Sequence, residues 1–464
     1  MRIPKGAREV LDALKKAGYE AYLVGGCVRD MLIANTEDGM ETHDWDICTN
    51  ATPEQMKTAF AGYRTVDTGI KHGTITVLAS DGQYEVTTYR IDGIYSDGRH
   101  PDSVKFTDQI TEDLSRRDFT INAMAVGADA DGKPTGLVDP FGGQEDLARK
   151  CLRCVGNPEV RLEEDALRIL RAIRFASRLA LEIDRATHDA MLEKRMLLQK
   201  ISVERIMDEL SKILMTEHGF DYLRKYREIL TVILPEMCPC IDFAQNNPWH
   251  CYSVFDHMMI SVGYAPKDLT LRMAMMLHDI GKPVATSVDE AGVHHFYGHA
   301  EISAEMAERI LRRCHCSKQL IHDVTELVRM HDVEIKPSAR MLRRLLSHLG
   351  ETQMRRLIQM KQADTMAQSE KAKERKLSEL NRSEELLEQI IAQKQAVTLK
   401  DLAINGKDLR EHGVPPGPEM GACLQKALDA VLDGTTENER EALLQIALEA
   451  AWNRDGERPA QSGQ

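Results

Sequence analysis

The sequence predicts an α+β chain in which a strand-bearing N-terminal head is followed by a helical remainder. Three observations carry this. Within residues 1–150 lie short β-branched runs, Ala21–Val24, Gly73–Ala79 (GTITVLA) and Tyr84–Tyr89 (YEVTTY), the last two joined by the turn Ser80-Asp81-Gly82. From Pro158 onward such runs nearly vanish and the apolar period becomes helical. At 464 residues the chain has the length of roughly three domains.

Composition bounds the class. Hydrophobic residues make up 42% and charged residues 29%, as in a soluble globular protein with real cores. No apolar run approaches a transmembrane helix, and the start MRIPKGAREVLDALKKAG is not a signal peptide, so no membrane partner is expected. Ten cysteines scattered without a secretory context point to a reduced, cytoplasmic compartment. Cys151-x-x-Cys154, Cys238-Pro-Cys240 and Cys314-His-Cys316 lack a second pair at zinc-finger spacing and are expected to pack rather than ligate. A net charge of −13 argues against a protein that coats nucleic acid nonspecifically. Local reading stays open: Arg340, Arg343, Arg344, Arg355, Arg356 and Lys361 suit a phosphate backbone or a merely solvated helix face equally.

Residues 7–17 read as an amphipathic helix leading into the stretch Tyr22–Thr49, YLVGGCVRDMLIANTEDGMETHDWDICT, around which the chain is organised. An apolar strand stops at Gly25-Gly26 and a helix begins, carrying Arg29 and Asp30. Strand, glycines and helix start make a phosphate cradle, because free N–H groups point outward and glycine lets a phosphate approach the main chain. Asp44 and Asp46, placed on a strand, would present two carboxylates on one side, the arrangement Mg²⁺ needs in nucleotidyl transfer. A lone Gly-Gly is usually a turn and a lone Asp-x-Asp a solvated loop; the two in this order are far more specific. GGCVRD followed by DWDICT resembles the signature of the class II tRNA nucleotidyltransferase and bacterial poly(A) polymerase family.

Pro53–Ala61 reads as the next helix. Glu85, acidic within a β-branched run, either faces water on an edge or, as the resemblance implies, is a third carboxylate beside the metal pair. The loop Gly93–Pro101 (GIYSDGRHP) is expected to be mobile and resembles the family's loop for switching from C to A addition. In RRDFTINA, Asp118 and Asn122 would be helical i,i+4 neighbours beside Arg116 and Arg117. The same residues match the family's second motif, which implies that Arg117, Asp118 and Asn122 hold ribose and triphosphate. Asp139–Gly143 (DPFGG) looks like the hinge that closes the head.

In EDALRILRAIRF, Asp165 and Arg168 are expected three apart on one helical face, with Arg171 following. An ordinary ion pair is one reading, and such pairs are worth little. The other is chemical. Cytosine and adenine offer an amine donor next to a ring-nitrogen acceptor, which a carboxylate and a guanidinium complement, whereas uracil and guanine present a carbonyl and an N–H. The family motif implies that second role. Ile201–Ile206 (ISVERI) resembles the family's neck motif.

Further on, histidines concentrate although they are only 16 of 464 residues. His250 and His257 lie in NPWHCYSVFDH, His278-Asp279 in LHDIGK, His299 in YGHAEIS, His331 in RMHD, and Asp364 in KQADT. The set resembles the HD phosphohydrolase domain, which implies His257, His278, Asp279 and Asp364 as core metal ligands, with His299 and His331 completing a second site. Imidazole with carboxylate suits a transition metal such as Mn, Ni or Co better than Mg²⁺ alone. Lys371–Gln395, free of Gly and Pro, is expected to be an exposed helical connector. Leu402–Asp408 and the Pro415–Gly421 run resemble the family's tRNA-contacting tail, and the last dozen residues are expected to be disordered.

The resemblance implies residues 1–150 as a nucleotidyltransferase head with a mixed β-sheet, 151–235 as an all-α neck for base recognition and RNA binding, 236–370 as the HD domain and 371–464 as a helical tail. It implies template-independent addition or repair of the tRNA 3′-CCA from CTP and ATP, with Asp44, Asp46 and Glu85 catalytic and Gly25, Gly26 and Arg29 at the phosphates. Alternatives are a poly(A) polymerase or partial CC- or A-adding enzyme, and an HD phosphohydrolase with a nucleotide-sensing head. The oligomeric state is not written in the sequence.

Overall fold

The computed structural model of the chain describes residues 2–34, 44–67, 69–93, 103–129, 131–371 and 373–455. Most of the 93–101 loop and the end of the C-terminal tail lie outside these residues. The chain divides into two compact units, Met1–Pro235 and Glu236–Gln464.

The first unit is built on a seven-stranded sheet. Its strands are β1 (Ala21–Val24), β2 (Ile47–Thr49), β3 (Arg64–Val66), β4 (Thr74–Leu78), β5 (Gln83–Thr88), β6 (Ala125–Ala128) and β7 (Pro134–Val138), ordered β3-β4-β5-β2-β1-β6-β7. β2 and β5 run parallel and the other neighbours antiparallel, so the sheet is mixed, as expected. Alternation in β4 and β5 buries Ile75, Val77, Tyr84 and Val86. The helix Lys5–Lys16 contributes Ala7, Val10, Leu11 and Leu14 to the same core. Pro53–Ala59 is a helix held at its start by a capping box, Thr52 with Gln55. Beyond Pro158 this unit is helical apart from the two-residue strand Glu182–Ile183, which pairs with Cys151–Leu152.

Three local expectations are corrected. Asp44 and Asp46 are not inside a strand; β2 starts at Ile47, although the Val24 N–H still donates to the Asp46 carbonyl at 3.0 Å. Asp118 and Asn122 do not share an α-helix, because Phe119 is extended and Thr120–Asn122 is one 3₁₀ turn. Asp165 is not helical either: the helix Pro158–Glu164 ends before it, its backbone is extended (φ −146°, ψ 102°), and the next helix runs Arg168–Leu179. Its own side chain favours this break by accepting the Leu167 N–H at 3.0 Å.

The second unit is almost wholly helical, with one small hairpin, Ser287–Val288 against His294–His295. Its basic run pairs with acidic residues and carbonyls of the same unit. Arg340 and Arg344 pair with Asp433, Arg356 with Asp268, and Arg355 with Glu351 and Glu388, while Lys361 donates to the His331 carbonyl. The segment carrying these residues breaks at Gly350 (φ 75°, ψ 167°), where only glycine is unstrained. Lys373–Ala392 is not an exposed connector: it packs on the preceding helix and buries Leu380, Leu387 and Ile390. The tail has a core of its own around Ile404, Leu409, Ala427 and Leu443. No disulfide joins the ten cysteines. Among the described residues, no helix is long and apolar enough to cross a membrane.

Candidate active site and metal centre

At the N-terminal mouth of β2, Asp44, Asp46 and Glu85 line one open cleft of about 640 Å³ together with Asp81 and Trp45. The parallel register sets Ile47 beside Val86, so Asp46 and Glu85, one residue earlier on each chain segment, are cross-strand neighbours. Asp46's carboxyl is pushed above its usual value: lost hydration in the cleft raises it, Arg117 opposes, and the Glu85 and Asp44 charges raise it further. The residue as a whole stays exposed, so that lost hydration is partial. Crowded like charges on an open wall are a donor set that fits a hard cation.

The glycine turn lies at the end of β1. Gly25 has φ +79°, and a Cβ there would sit 3.0 Å from the Arg117 Nη1. The Arg117 Nε is buried without a hydrogen-bond partner among the described residues, and Asp113 lies 3.5 Å from its Nη2. A guanidinium so placed, beside a turn with no side chain, suits an incoming phosphate. Gly26 opens the helix Gly26–Ala34. Arg29, by contrast, is buried and internally engaged. It pairs with Asp30 at 2.7 Å, and its Nη1 donates to Asn122 Oδ1 at 2.6 Å.

Asp118 is the hub of this framework. Its Oδ1 accepts from the Phe119 N–H (2.8 Å) and Asn122 Nδ2 (3.1 Å), and its Oδ2 accepts Arg171 Nε and Nη2 at 2.9 and 2.6 Å. Burial works to raise its pKa, but the charge and hydrogen bonds of Arg171, helped by Asn122, hold it at about 2. Phe175 is ringed by three guanidinium groups, Arg174 at 4.3 Å, Arg29 at 5.1 Å and Arg171 at 5.4 Å.

Asp165 and Arg168 are not paired with each other. Asp165 Oδ2 accepts from Arg205 Nη2 at 2.8 Å. Arg168 donates to Glu164 Oε2 at 2.6 Å and to the Arg161 and Arg116 carbonyls. Arg205 and Glu164 are the partners sequence reasoning missed. Arg205 stands in the ISVERI run, but nothing local ties it to a carboxylate 40 positions earlier.

In the second unit the four core ligand candidates converge. His257 Nε2 lies 2.9 Å from Asp364 Oδ1 and 3.5 Å from Asp279 Oδ2, and His278 Nε2 lies 3.3 Å from the same Asp279 oxygen. His299 and His331 approach the other Asp279 oxygen at 3.3 and 3.4 Å. Each ring is aimed by its second nitrogen. The Nδ1 atoms of His257, His278, His299 and His331 contact the carbonyls of Ala367, Met275, Phe296 and Val328 at 2.6–3.3 Å. That leaves Nε2 toward the centre, the arrangement of metal-binding histidines. Three trios, His250/His257/Asp279, His257/His278/Asp364 and Asp279/His299/His331, each hold their potential ligand atoms within 4.8 Å of one another, a donor set that could hold a metal ion. No such trio among the described residues lies in the head. Lys282, not singled out from sequence although it follows in LHDIGK, is buried with its Nζ 2.6 Å from Asp279 Oδ2.

Comparison with known proteins agrees with the head. The family model described as "Poly A polymerase head domain" matches residues 21–153, "Probable RNA and SrmB- binding site of polymerase A" matches 180–241, and "tRNA nucleotidyltransferase domain 2 putative" matches 288–447. Fold and site thus define a nucleotidyltransferase with a polymerase-type head, a class whose chemistry implies a divalent metal. The CCA-adding enzyme of Limosilactobacillus reuteri (strain DSM 20016) is 34% identical over 454 residues, covering 95% of both chains. That of Levilactobacillus brevis (strain ATCC 367) is 36% identical, covering 94% of this chain and 96% of the relative. The crystal structure of the Bacillus stearothermophilus CCA-adding enzyme in complex with CTP is 28% identical, with a TM-score of 0.69 over 97% of this chain and 98% of that one. The chain belongs to the CCA-adding enzyme family.

Proposed function

We propose that this chain is a CCA tRNA nucleotidyltransferase that builds or repairs the 3′-terminal CCA of tRNA from CTP and ATP. The observation that carries the reading is one cleft holding Asp44, Asp46 and Glu85, near the Gly25 turn and the Arg117 Nε, which has no hydrogen-bond partner among the described residues. Mg²⁺ held by Asp44 and Asp46, with Glu85 alongside, would supply activation of the RNA 3′-hydroxyl and charge neutralisation at the triphosphate. The chain's own residues do the rest. Gly25 and Gly26 admit the phosphates, and Arg117 donates to them. Asp118, kept ionised by Arg171, accepts from the ribose. Arg29 and Asn122 brace that carboxylate. Asp165 and Arg168 read the amine and ring nitrogen of cytosine or adenine.

On this reading residues 1–150 are the catalytic head, 151–235 the neck, 236–370 an HD metal-binding domain and 371–464 a helical tail near tRNA, in a cytoplasmic enzyme. The convergence of histidines on Asp279 supports a second, hydrolytic activity on phosphate esters, with Mn, Ni or Co as the metal. The decisive experiment offers tRNA lacking its last one, two or three nucleotides with each single nucleotide triphosphate. Stepwise C, C, A addition that then stops is expected. A growing run of A from any of these ends would instead assign poly(A) polymerase, and incorporation of C alone or A alone a partial enzyme.

A further inference from the structure

Asp113, in the short helix Ile110–Ser115, is 1% exposed, and its two oxygens have unlike surroundings. Its Oδ1 accepts the Arg90 N–H at 3.3 Å and Arg116 Nε and Nη2 at 3.0 and 2.8 Å. Its Oδ2 is buried with no hydrogen-bond partner among the described residues, and Arg117 Nη2 lies 3.5 Å from it. That separation is too long for a good N–H···O bond but well within reach of charge attraction. Anchoring the helix would need only Oδ1. A carboxylate oxygen left unbonded in the interior is costly, so the Oδ2 side calls for a reason of its own. Among the described residues Asp113 is the one carboxylate paired with Arg117. On its other side the same guanidinium reaches the Gly25 turn, where a Cβ would sit 3.0 Å from Nη1. Burial raises the Asp46 carboxyl and the Arg117 charge opposes that rise, so Arg117 also acts on the cleft.

A carboxylate that took hydrogen bonds from Arg117 would neutralise it and use up the donors a phosphate needs, as Asp30 and Asn122 do at Arg29. With Arg116 fixing Oδ1, Asp113 is kept from such a pairing. It supplies charge and leaves the Arg117 N–H groups open. We infer that Asp113 is a positioning residue for the triphosphate: anchored by Arg116, it holds the Arg117 guanidinium beside the Gly25 turn by charge while leaving its donors for the phosphates of CTP and ATP alike. The inference rests on reading the head as the nucleotidyl-transfer site. Because Asp113 acts on the triphosphate and not on the base, it contributes to affinity and not to the choice between nucleotides.

Asp113→Asn isolates the Oδ2 side. The amide oxygen can accept from Arg90 and Arg116 as before, which sets the amide NH₂ opposite Arg117, donor against donor. Binding is read by Trp45, which lines the cleft and is the only tryptophan in the full-length chain carrying Trp249→Phe and Trp452→Phe. Titrations with CTP, ATP and inorganic tripolyphosphate are run in Mg²⁺. The Asn variant is expected to bind all three about tenfold more weakly, the loss of one charge-assisted hydrogen bond to phosphate. In tRNA extension KM should rise by the same factor for both nucleotides, with kcat little changed and the preference for C over U unaltered. A merely structural role would move that preference, because the Arg116 carbonyl holds Arg168. Added to Arg117→Gln, Asp113→Asn should cost no further affinity. This double variant, with both charges gone, remains the test if the single variant does not fold. Unchanged tripolyphosphate affinity in Asp113→Asn, a further loss in the double variant, or a shifted C-over-U preference overturns the inference and leaves the assignment of the head intact. A chain with Asp113 in place that neither binds tripolyphosphate nor extends tRNA overturns the assignment of the head, and the inference with it.

Discussion

Asp118→Asn tests the hub of the head. The substitution keeps shape and hydrogen bonding but removes the charge that holds Arg171 by two contacts of 2.6 and 2.9 Å. Asp118 is buried and its carboxyl is held at about 2 against an ordinary 3.8. That difference corresponds to roughly 2 kcal/mol, at about 1.4 kcal/mol per unit. The sign follows from the direction. A depressed folded pKa stabilises above the unfolded value and is lost as pH falls through the folded one, so the contribution is complete at pH 7. About half of it should vanish between pH 7 and pH 3, and most of the remainder by about pH 2. The variant should therefore be about 2 kcal/mol less stable at neutral pH, and that gap should narrow by roughly 1 kcal/mol at pH 3. Urea unfolding followed by Trp45 fluorescence, in a background with Trp249→Phe and Trp452→Phe, reports on the head. A gap that stays constant from pH 7 to pH 3 would refute the pairing as the source of stability. KM for both CTP and ATP should rise in the same variant if Asp118 meets the ribose.

Asp44→Ala or Asp46→Ala should abolish C and A addition alike, with tRNA retained in a gel-shift assay; near wild-type extension by either variant would place the active site elsewhere. His278→Ala with Asp279→Ala should spare nucleotide addition while metal bound per chain, read by mass spectrometry, and any phosphatase activity both fall to background. Asp165→Ala should lower kcat/KM for CTP and ATP more than for UTP and GTP, so that the selectivity ratio narrows; unchanged C-and-A preference in the folded variant would leave Asp165 only a helix-start residue. Arg205→Gln should act in the same direction but less, by about tenfold in KM with kcat little changed, because it frees a carboxylate without removing it. Arg205→Lys should recover part of that loss.

What was legible in the sequence was what local chemistry decides. The turn at Gly25 shows itself because the φ of +79° there is costly for any other residue. Alternation in YEVTTY gives β5 and places Glu85 on its exposed side, since a period of two leaves no other face for Tyr84 and Val86 to bury. The convergence of His257, His278, Asp279 and Asp364 was legible as a set because histidine and aspartate seldom gather for packing. Where the reading failed, a partner distant in sequence or a competing side chain decided the outcome. Asp165 looked helical by spacing, yet its carboxylate captures the Leu167 N–H and Arg205, 40 residues on, takes the other oxygen. The basic run left a phosphate-facing and a solvated reading open, and its pairing with Asp433, Asp268 and Glu388 was not visible in it. Charges of that kind cannot be assigned from composition, because their partners are set by how the helices pack.

The two acidic centres are built on opposite physical plans, and the difference bears on how each is used. In the second unit His257, His278 and Asp279 are buried and the rings are fixed by main-chain carbonyls before any ion arrives. Leaving such a set empty strands polar atoms in a poor dielectric, so an ion bound there would stabilise the fold. In the head Asp44, Asp46 and Glu85 stay exposed on an open cleft and close no compact trio. Oxygen ligands that few and that open cannot complete a hard cation's shell; substrate phosphates and water must supply the rest. On the proposed assignment, metal affinity at the head therefore depends on the triphosphate, whereas metal content of the second unit does not. Dialysis against a weak chelator should strip the head's ion and leave the second centre loaded, and adding CTP should restore binding of one class of ion only. If chelation emptied both centres together, or if CTP had no effect on Mg²⁺ affinity, the contrast between an ion brought in with substrate and one built into the fold would not hold.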